Sequence, residues 1–301
     1  GTELTQWVDG LTQRFEIYIN SADNTDHKTV DYLTPSSRGQ STDLSLPLEG
    51  NGSQSILDDI DEFLRQCVRT NRPEFMNPLW GGLNVAGFAG EVIAALTNQS
   101  MYTYELSPIA TLIEQAIVER MMEIVGYAEG FGTLTTGGSN GNMMGMLCAR
   151  QASHPMSSIT GFDGSKYVAF VSAEAHYSVL MSANVVGIGY QNLVKVACDS
   201  RGRMKPESLV EEIVRARTNG QTPFCIIATS GTTVRGAFDP LKEIANIAHD
   251  NNIWLHVDAA WGGSSLFSKR FRKLMDGVEL ADSVCWDCLL YTSDAADDWF
   301  C

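Results

Sequence analysis

Residues 224–263 read FCIIATSGTTVRGAFDPLKEIANIAHDNNIWLHVDAAWGG. An apolar run, Phe224–Ala228, gives way to a turn-rich segment, then to a helical pattern through Ile244 and Ile247, then to a second apolar run, Ile253–Val257. Short continuous apolar runs suit strands covered on both faces, and a helix between two of them suits a parallel crossover. Asp239-Pro240 stands where the helix begins and is read as its cap.

The same alternation extends upstream. Lys166–Val171 and Val194–Ala197 read as further strands, and a helix opens near Pro206, passes Leu209, Ile213 and Val214, and stops at Asn219-Gly220. The predicted fold class is therefore α/β, with a largely parallel sheet between helical layers. From Gly81 to Gly126 the pattern is mainly helical, with Pro108 near the start of an amphipathic run from Ile109 to Val125. Residues 20–54, rich in Ser, Thr, Asp, Asn and Gly, are predicted to be irregular. They lie between an N-terminal helix and a second helix that Ser55 caps and Ile56, Ile60, Phe63, Leu64 and Cys67 carry to about Arg69.

Composition narrows the function. With 301 residues, 44% of them hydrophobic, the chain can bury a large core. A net charge of −15 and few clustered Lys or Arg argue against a nucleic-acid partner, leaving a small molecule. There is no apolar run of the roughly 20 residues that span a bilayer, and the start Gly1-Thr2-Glu3-Leu4 lacks a signal-peptide core, so a cytoplasmic location without membrane contact is expected. Seven scattered cysteines, Cys148 and Cys225 within apolar segments among them, fit reduced thiols. Cys285 and Cys288 form one Cys-x-x-Cys pair with no second pair or nearby His cluster, so no metal site is predicted.

In an open α/β sheet, ligands bind beyond the carboxyl ends of the strands. Four segments there carry candidate chemistry. Thr135–Asn142, TTGGSNGN, is a glycine-rich turn into a helix, where free N–H groups suit a phosphate. It matches neither the dinucleotide fingerprint nor the Walker loop. His176 follows the strand ending at Val171, and Thr229-Ser230-Gly231-Thr232-Thr233 brings hydroxyls to the end of the next one. Asp258 ends the strand Ile253–Val257 and is followed by small residues; a buried carboxylate there calls for a positive partner. His256, inside the apolar run, reads as a core residue.

TYELSP at Thr103–Pro108, TTGGSNGN at Thr135–Asn142, SGTTVRGAFDP at Ser230–Pro240 and HVDAAWGG at His256–Gly263, in this order, resemble the pyridoxal-phosphate decarboxylases of group II. These act on glutamate, cysteine sulfinate or aromatic amino acids. The likeness runs from about Ile56 to Asp287. It implies the aspartate-aminotransferase type of large domain (PLP fold type I) after a helical N-terminal segment, a homodimer, pyridoxal 5'-phosphate as cofactor and an amino acid as substrate. By the resemblance, Gly138 and Ser139 bind the cofactor phosphate, His176 stacks on the pyridine ring and can touch the substrate carboxylate, Asp258 pairs with the ring nitrogen, and Ala260 packs on the other ring face. Thr232 and Thr233 lie where the family contacts the cofactor. The implied domains are 1–80, helical and irregular, and 81–287, the cofactor-binding domain.

Phe75–Gly82, FMNPLWGG, resembles the segment that holds the substrate in the acidic branch, placing Asn77, Pro78 and Trp80 at the substrate. The family's usual Gln is Pro78 here, and Trp80 replaces a small residue, so no side-chain donor is offered at position 78. An acidic substrate is expected first. Aromatic or diamino-acid decarboxylation, another carbon–carbon lyase reaction and a non-catalytic binding role remain alternatives. After Ala281–Asp287 the family continues with Pro-His-Lys, whose lysine carries the cofactor covalently; this chain has Cys288-Leu289-Leu290. The run Cys288–Asp298, CLLYTSDAADD, resembles a translated sequencing-library adaptor. Genuine protein is thus expected to end near Asp287, with 288–301 an artefactual tail and the fragment itself inactive.

Overall fold

The computed structural model describes residues 2–24, 26, 28–50, 52–77, 79–163 and 166–287. The expected tail 288–301 and Pro78 lie outside the described residues. The chain divides into two compact units, Gly1–Ala89 and one that begins at Gly90. The division falls inside helix α4 (Val85–Thr97).

The first unit contains α1 (Thr2–Asn20), α2 (Pro35–Ser41) and α3 (Ser53–Gln66). Arg14 ties α1 to α3, its Nη2 donating to Asp61 Oδ2 at 2.6 Å and its Nε to the Leu57 carbonyl at 3.2 Å. Short α2 interrupts the stretch predicted to be irregular: Pro35 suits a first helical turn, and Thr34 Oγ1 caps it by accepting from the Ser37 N–H at 3.2 Å. Ser55 is not the cap of α3. That position is Gly52, and Ser55 already lies inside the first turn, its N–H donating to the Gly52 carbonyl.

The second unit carries α5 (Pro108–Val125), α6 (Gly138–Ser153), α7 (Ser157–Thr160), β1 (Tyr167–Ser172), α8 (Ser178–Val185), β2 (Leu193–Val196), α9 (Pro206–Thr218), β3 (Thr222–Thr229), α10 (Leu241–Asn251), β4 (Trp254–Asp258) and β5 (Ser283–Cys285). All five strands are parallel, in the order β2-β1-β3-β4-β5. The four strands predicted from apolar runs are present, with ends shifted by one or two residues. Strand β5 is too short to produce a sequence period and has no counterpart among the predicted strands.

Side-chain alternation sorts the core into two layers. Phe170, Ile226, Ala228, Leu255 and Val257 pack with Leu209, Ile213, Leu241 and Ile244 of α9 and α10. Ala169, Val171, Cys225 and Ile227 pack with Met146, Ala149, Val179 and Ala183 of α6 and α8. The chain leaves β1 toward β2 and returns to β3 on the other side of β1, so the strand order reverses there. A ligand crevice is expected at the carboxyl ends around such a reversal.

Asp239 departs from its predicted role. It makes no side-chain cap on α10. Its carboxylate accepts instead from the backbone N–H of Met204 at 2.6 Å and of Thr229 at 2.7 Å, fastening the end of β3 to the loop before α9. Burial pushes this carboxyl up to about 6, against the pull of those two donors. Cys148, read within an apolar segment, is exposed on α6; Cys225 is buried in β3.

Candidate functional site

Asp258 is the last residue of β4, in register with Thr229 of β3 and Cys285 of β5. It is 5% exposed. Residues two apart on a strand share a face, so His256 and Asp258 both point to the α6 side. Helix α6 can lie close there because residue 145 is Gly: a Cβ would enter the His256 ring, displacing it. One turn nearer the helix start, Asn142 is buried between the two β4 side chains. Its Nδ2 donates to Asp258 Oδ2 at 3.0 Å, and its Oδ1 lies 3.0 Å from His256 Nε2. The second Asp258 oxygen accepts from the Ala260 N–H at 3.2 Å.

The glycine-rich turn reaches the same end of the sheet. Gly137 has φ 129°, in the range that favours glycine, and no side chain caps α6. The first N–H groups of the helix, from Gly138 and Ser139 onward, thus lack intrahelical acceptors and form an anion site. Gly138 faces Ala260, where a Cβ would come within 3.0 Å of the Ala260 methyl. Thr135 Oγ1 donates to the Gly137 carbonyl at 3.1 Å and holds the turn. Cys285 Sγ sits 3.4 Å from the Gly138 carbonyl, its thiol pushed well up by burial. Its Cys-x-x-Cys partner, Cys288, is outside the described residues. Among the described residues no His, Cys, Asp or Glu cluster could hold a metal ion, and no helix is long and apolar enough to cross a membrane.

His176 follows β1 and is half-buried, with Nδ1 2.9 Å from Ser178 Oγ and its ring centroid 4.1 Å from that of Tyr177. Ser178 in turn lies 3.4 Å from Asn142 Nδ2, so His176, Asn142, Asp258 and His256 form one connected group. Thr232 is buried and its Oγ1 accepts from the Ala237 N–H at 3.0 Å, closing the turn after β3; Thr233 is exposed. Thr229, at the start of that turn, is the first of the hydroxyls that the sequence brings to the end of β3. On the α6 face beside Asp258 its buried hydroxyl has no hydrogen-bond partner among the described residues. In the first unit, Asn77 Oδ1 accepts from the Leu79 N–H at 2.8 Å and Trp80 rests 6.1 Å from Phe75, centroid to centroid.

The electrostatics are those of an incomplete site. Burial pushes the Asp258 carboxyl up, and the nearby Asp287 carboxylate adds to the rise against the Ala260 N–H, Asn142 and His176. Among the described residues no Lys or Arg pairs with it. A cationic group with its own N–H is what this carboxylate lacks. Burial also drives His256 down, to about 4, so it is neutral at pH 7. The sign follows from linkage: the unfolded chain, with His near 6.5, binds more protons than the folded one between those values. The His256 contribution is therefore present above 6.5 and lost as pH falls through about 4, a swing of about 3 kcal/mol. Asp239 and Asp258, both raised, act in the opposite sense. Urea unfolding at pH 7 and pH 5 is expected to show a smaller acid loss for His256→Asn than for the unaltered chain; equal losses would rule this contribution out.

A buried carboxylate at a strand end, with a helix start presenting free N–H groups beside it, is the layout of a phosphate-bearing cationic cofactor site on an α/β sheet. Residues 35–291 match the pyridoxal-dependent decarboxylase conserved domain, and the chain belongs to that family. Its similarity extends to the acidic amino acid decarboxylase GADL1 of Mus musculus, 41% identical over 273 residues, covering 90% of this chain and 50% of the relative. The cysteine sulfinic acid decarboxylase of Mus musculus is 40% identical over 261 residues, covering 86% and 53%. The crystal structure of mouse CSAD in apo form superposes with a TM-score of 0.90 at 36% identity, over 95% of this chain and 60% of that one. The chain thus spans about half the length of the curated relatives it matches.

Proposed function

We propose that the sheet-bearing unit binds pyridoxal phosphate, and that the protein carrying it decarboxylates an L-amino acid with an acidic side chain: glutamate, aspartate or cysteine sulfinate. The observation that carries this reading is Asp258, a buried carboxylate without a cationic partner among the described residues, next to the uncapped start of α6. Bound there, the cofactor supplies a protonated ring able to take up the electron pair left by departing carbon dioxide.

The chain's own residues do the rest. Backbone N–H groups of Gly138 and Ser139 hold the phosphate, and Asp258 holds a proton on the ring nitrogen by favouring the charged form. His176 and Ala260 bracket the ring plane, and His176 orients the substrate carboxylate. Thr233 is exposed, whereas Thr232 is buried and its oxygen accepts from the Ala237 N–H, leaving its proton and one lone pair to offer. The Phe75–Gly82 segment, with Asn77, Pro78 and Trp80, contributes to substrate choice. Relatives named for acidic amino acids and cysteine sulfinate, at 38–41% identity, support the acidic class.

A homodimer belongs to this reading. It is supported by Ile109, Leu112, Ile113 and Ile117, which lie along one face of α5 and are all exposed, an apolar stripe that a second copy would cover. A cytoplasmic setting is likewise part of it, supported by the free thiols of Cys67, Cys148, Cys198, Cys225 and Cys285. A non-catalytic cofactor-binding protein is the second reading, favoured by Cys288 standing directly after Asp287. Carbon dioxide release by the whole gene product, assayed with glutamate, aspartate, cysteine sulfinate and aromatic amino acids, separates the two. Release from an acidic substrate at least about tenfold faster than from aromatic ones is expected; cofactor binding without release from any substrate would leave the non-catalytic reading.

A further inference from the structure

His256 and Ser283 take no part in the proposed chemistry, yet they are joined to the site by an unbroken series of hydrogen bonds. Trp254 Nε1 donates to Ser283 Oγ at 2.8 Å, and Ser283 Oγ lies 2.8 Å from His256 Nδ1. His256 Nε2 lies 3.0 Å from Asn142 Oδ1, and Asn142 Nδ2 donates to Asp258 Oδ2 at 3.0 Å and toward Ser178 Oγ at 3.4 Å. Ser178 Oγ is 2.9 Å from His176 Nδ1, which also accepts from the Ser178 N–H at 3.3 Å.

Asp258, as the carboxylate that a cationic partner would face, fixes the direction of the series. With Asp258 ionised and His256 neutral, the Asn142 NH2 must face Asp258 and His256 Nδ1 must accept, so Ser283 Oγ, which takes the indole N–H on one lone pair, gives its proton to Nδ1. That leaves the His256 proton on Nε2, aimed at the carboxamide oxygen of Asn142. The carboxamide NH2 is then turned to Asp258, which as a carboxylate only accepts. At the other branch, Nδ1 of His176 receives two donors and its proton is on Nε2. The reverse direction would require a protonated Asp258 and a His256 proton on Nδ1.

We infer that Asn142 is a positioning residue that sets both the Asp258 carboxylate and the His176 ring, its own orientation fixed by the charge on Asp258 and matched by the donor series Trp254, Ser283, His256. This rests on the proposed cofactor site for its functional consequence, but not for its geometry. Ser182 holds the same corner from below, its hydroxyl donating to the Ser178 carbonyl at 2.8 Å. Gly145 leaves the room that the His256 ring occupies. Burial keeps His256 neutral at pH 7, as this series requires.

The test has two readouts. In protein labelled with imidazole-¹⁵N histidine, long-range proton–nitrogen correlation spectra report which ring nitrogen is protonated, with or without cofactor. Both His256 and His176 are expected as the Nε2–H form; Ser283→Ala is expected to lose that form at His256 and Ser283→Thr to restore it. A native His256 protonated on Nδ1 would overturn the series outright. The second readout is affinity, by tryptophan fluorescence. Asn142→Leu is expected to weaken pyridoxal phosphate binding by about tenfold or more while leaving competition by inorganic phosphate unchanged, since a lost hydrogen bond to a charged group is worth about that factor. Equal loss of both affinities would mean that Asn142 merely holds the helix start, and no loss would remove its role. Native protein with the expected tautomers that binds no pyridoxal phosphate would overturn the proposed function and leave the hydrogen-bond series standing.

Discussion

Gly262→Ala is expected to cost the sheet-bearing unit about 3 kcal/mol or more, and to leave little folded protein at 37 °C. Gly262 has an ordinary backbone conformation, φ −89°, so the need for glycine there is one of space. A Cβ at this position would stand 2.7 Å from the Ser230 carbonyl carbon, still closer to its oxygen, and 2.8 Å from Phe238 Cε1. Ser230 cannot retreat. Its N–H donates to the Asp258 carbonyl at 2.8 Å, and the neighbouring Thr229 N–H is held by Asp239. The strain would therefore pass to the ends of β3 and β4 together, where the site is built. Gly90→Ala is the control: nothing lies within 4 Å of its added Cβ, it sits inside α4, and a gain of about 0.5–1 kcal/mol is expected. Urea midpoints measured side by side decide the matter, and a Gly262→Ala midpoint equal to that of the unaltered chain would refute the packing argument.

Asp258→Asn is expected to lower affinity for pyridoxal phosphate by about a thousandfold while changing stability little or raising it. A close charge pair at an effective dielectric of about 20 is worth about 4 kcal/mol, and that is near a thousandfold in an equilibrium constant. The carboxamide is isosteric and relieves an unpaired buried charge in the free protein, which is why stability should not fall. One of its ends would face the Asn142 NH2 and the other the Ala260 N–H, so one donor contact is lost at most. Loss of affinity with a stability gain is the signature of a site charge kept for a ligand. If the variant bound pyridoxal phosphate as tightly as the parent, Asp258 would not be the partner of the cationic ring.

Much of the fold is legible in the amino-acid sequence by itself. Apolar runs without alternation require strands buried on both faces, and Pro206 and Asn219-Gly220 bracket the helix between two of them. The candidate carboxylate is legible because a charge placed at the end of the run Ile253–Val257 has no solvent to face and needs a partner. The order of four short motifs carries the family. These are local signals, or sums of local signals, and a chain written out in one dimension preserves them.

What only the tertiary structure decided depends on groups far apart in the chain. Asn142 reaches Asp258 across 116 positions and His256 across 114, so no spacing rule could pair them, and His256 reads in sequence as a core residue rather than as part of the site. Asp239 resembles a helix cap because its sequence neighbours suggest one; its carboxylate turns instead to two backbone donors brought near by the sheet. Strand β5 is three residues long and exists because β4 offers it a free edge. Periodicity specifies which face of an element is buried. Which polar groups then meet is set by register and helix packing, where a hydrogen bond succeeds or fails within a few tenths of an ångström.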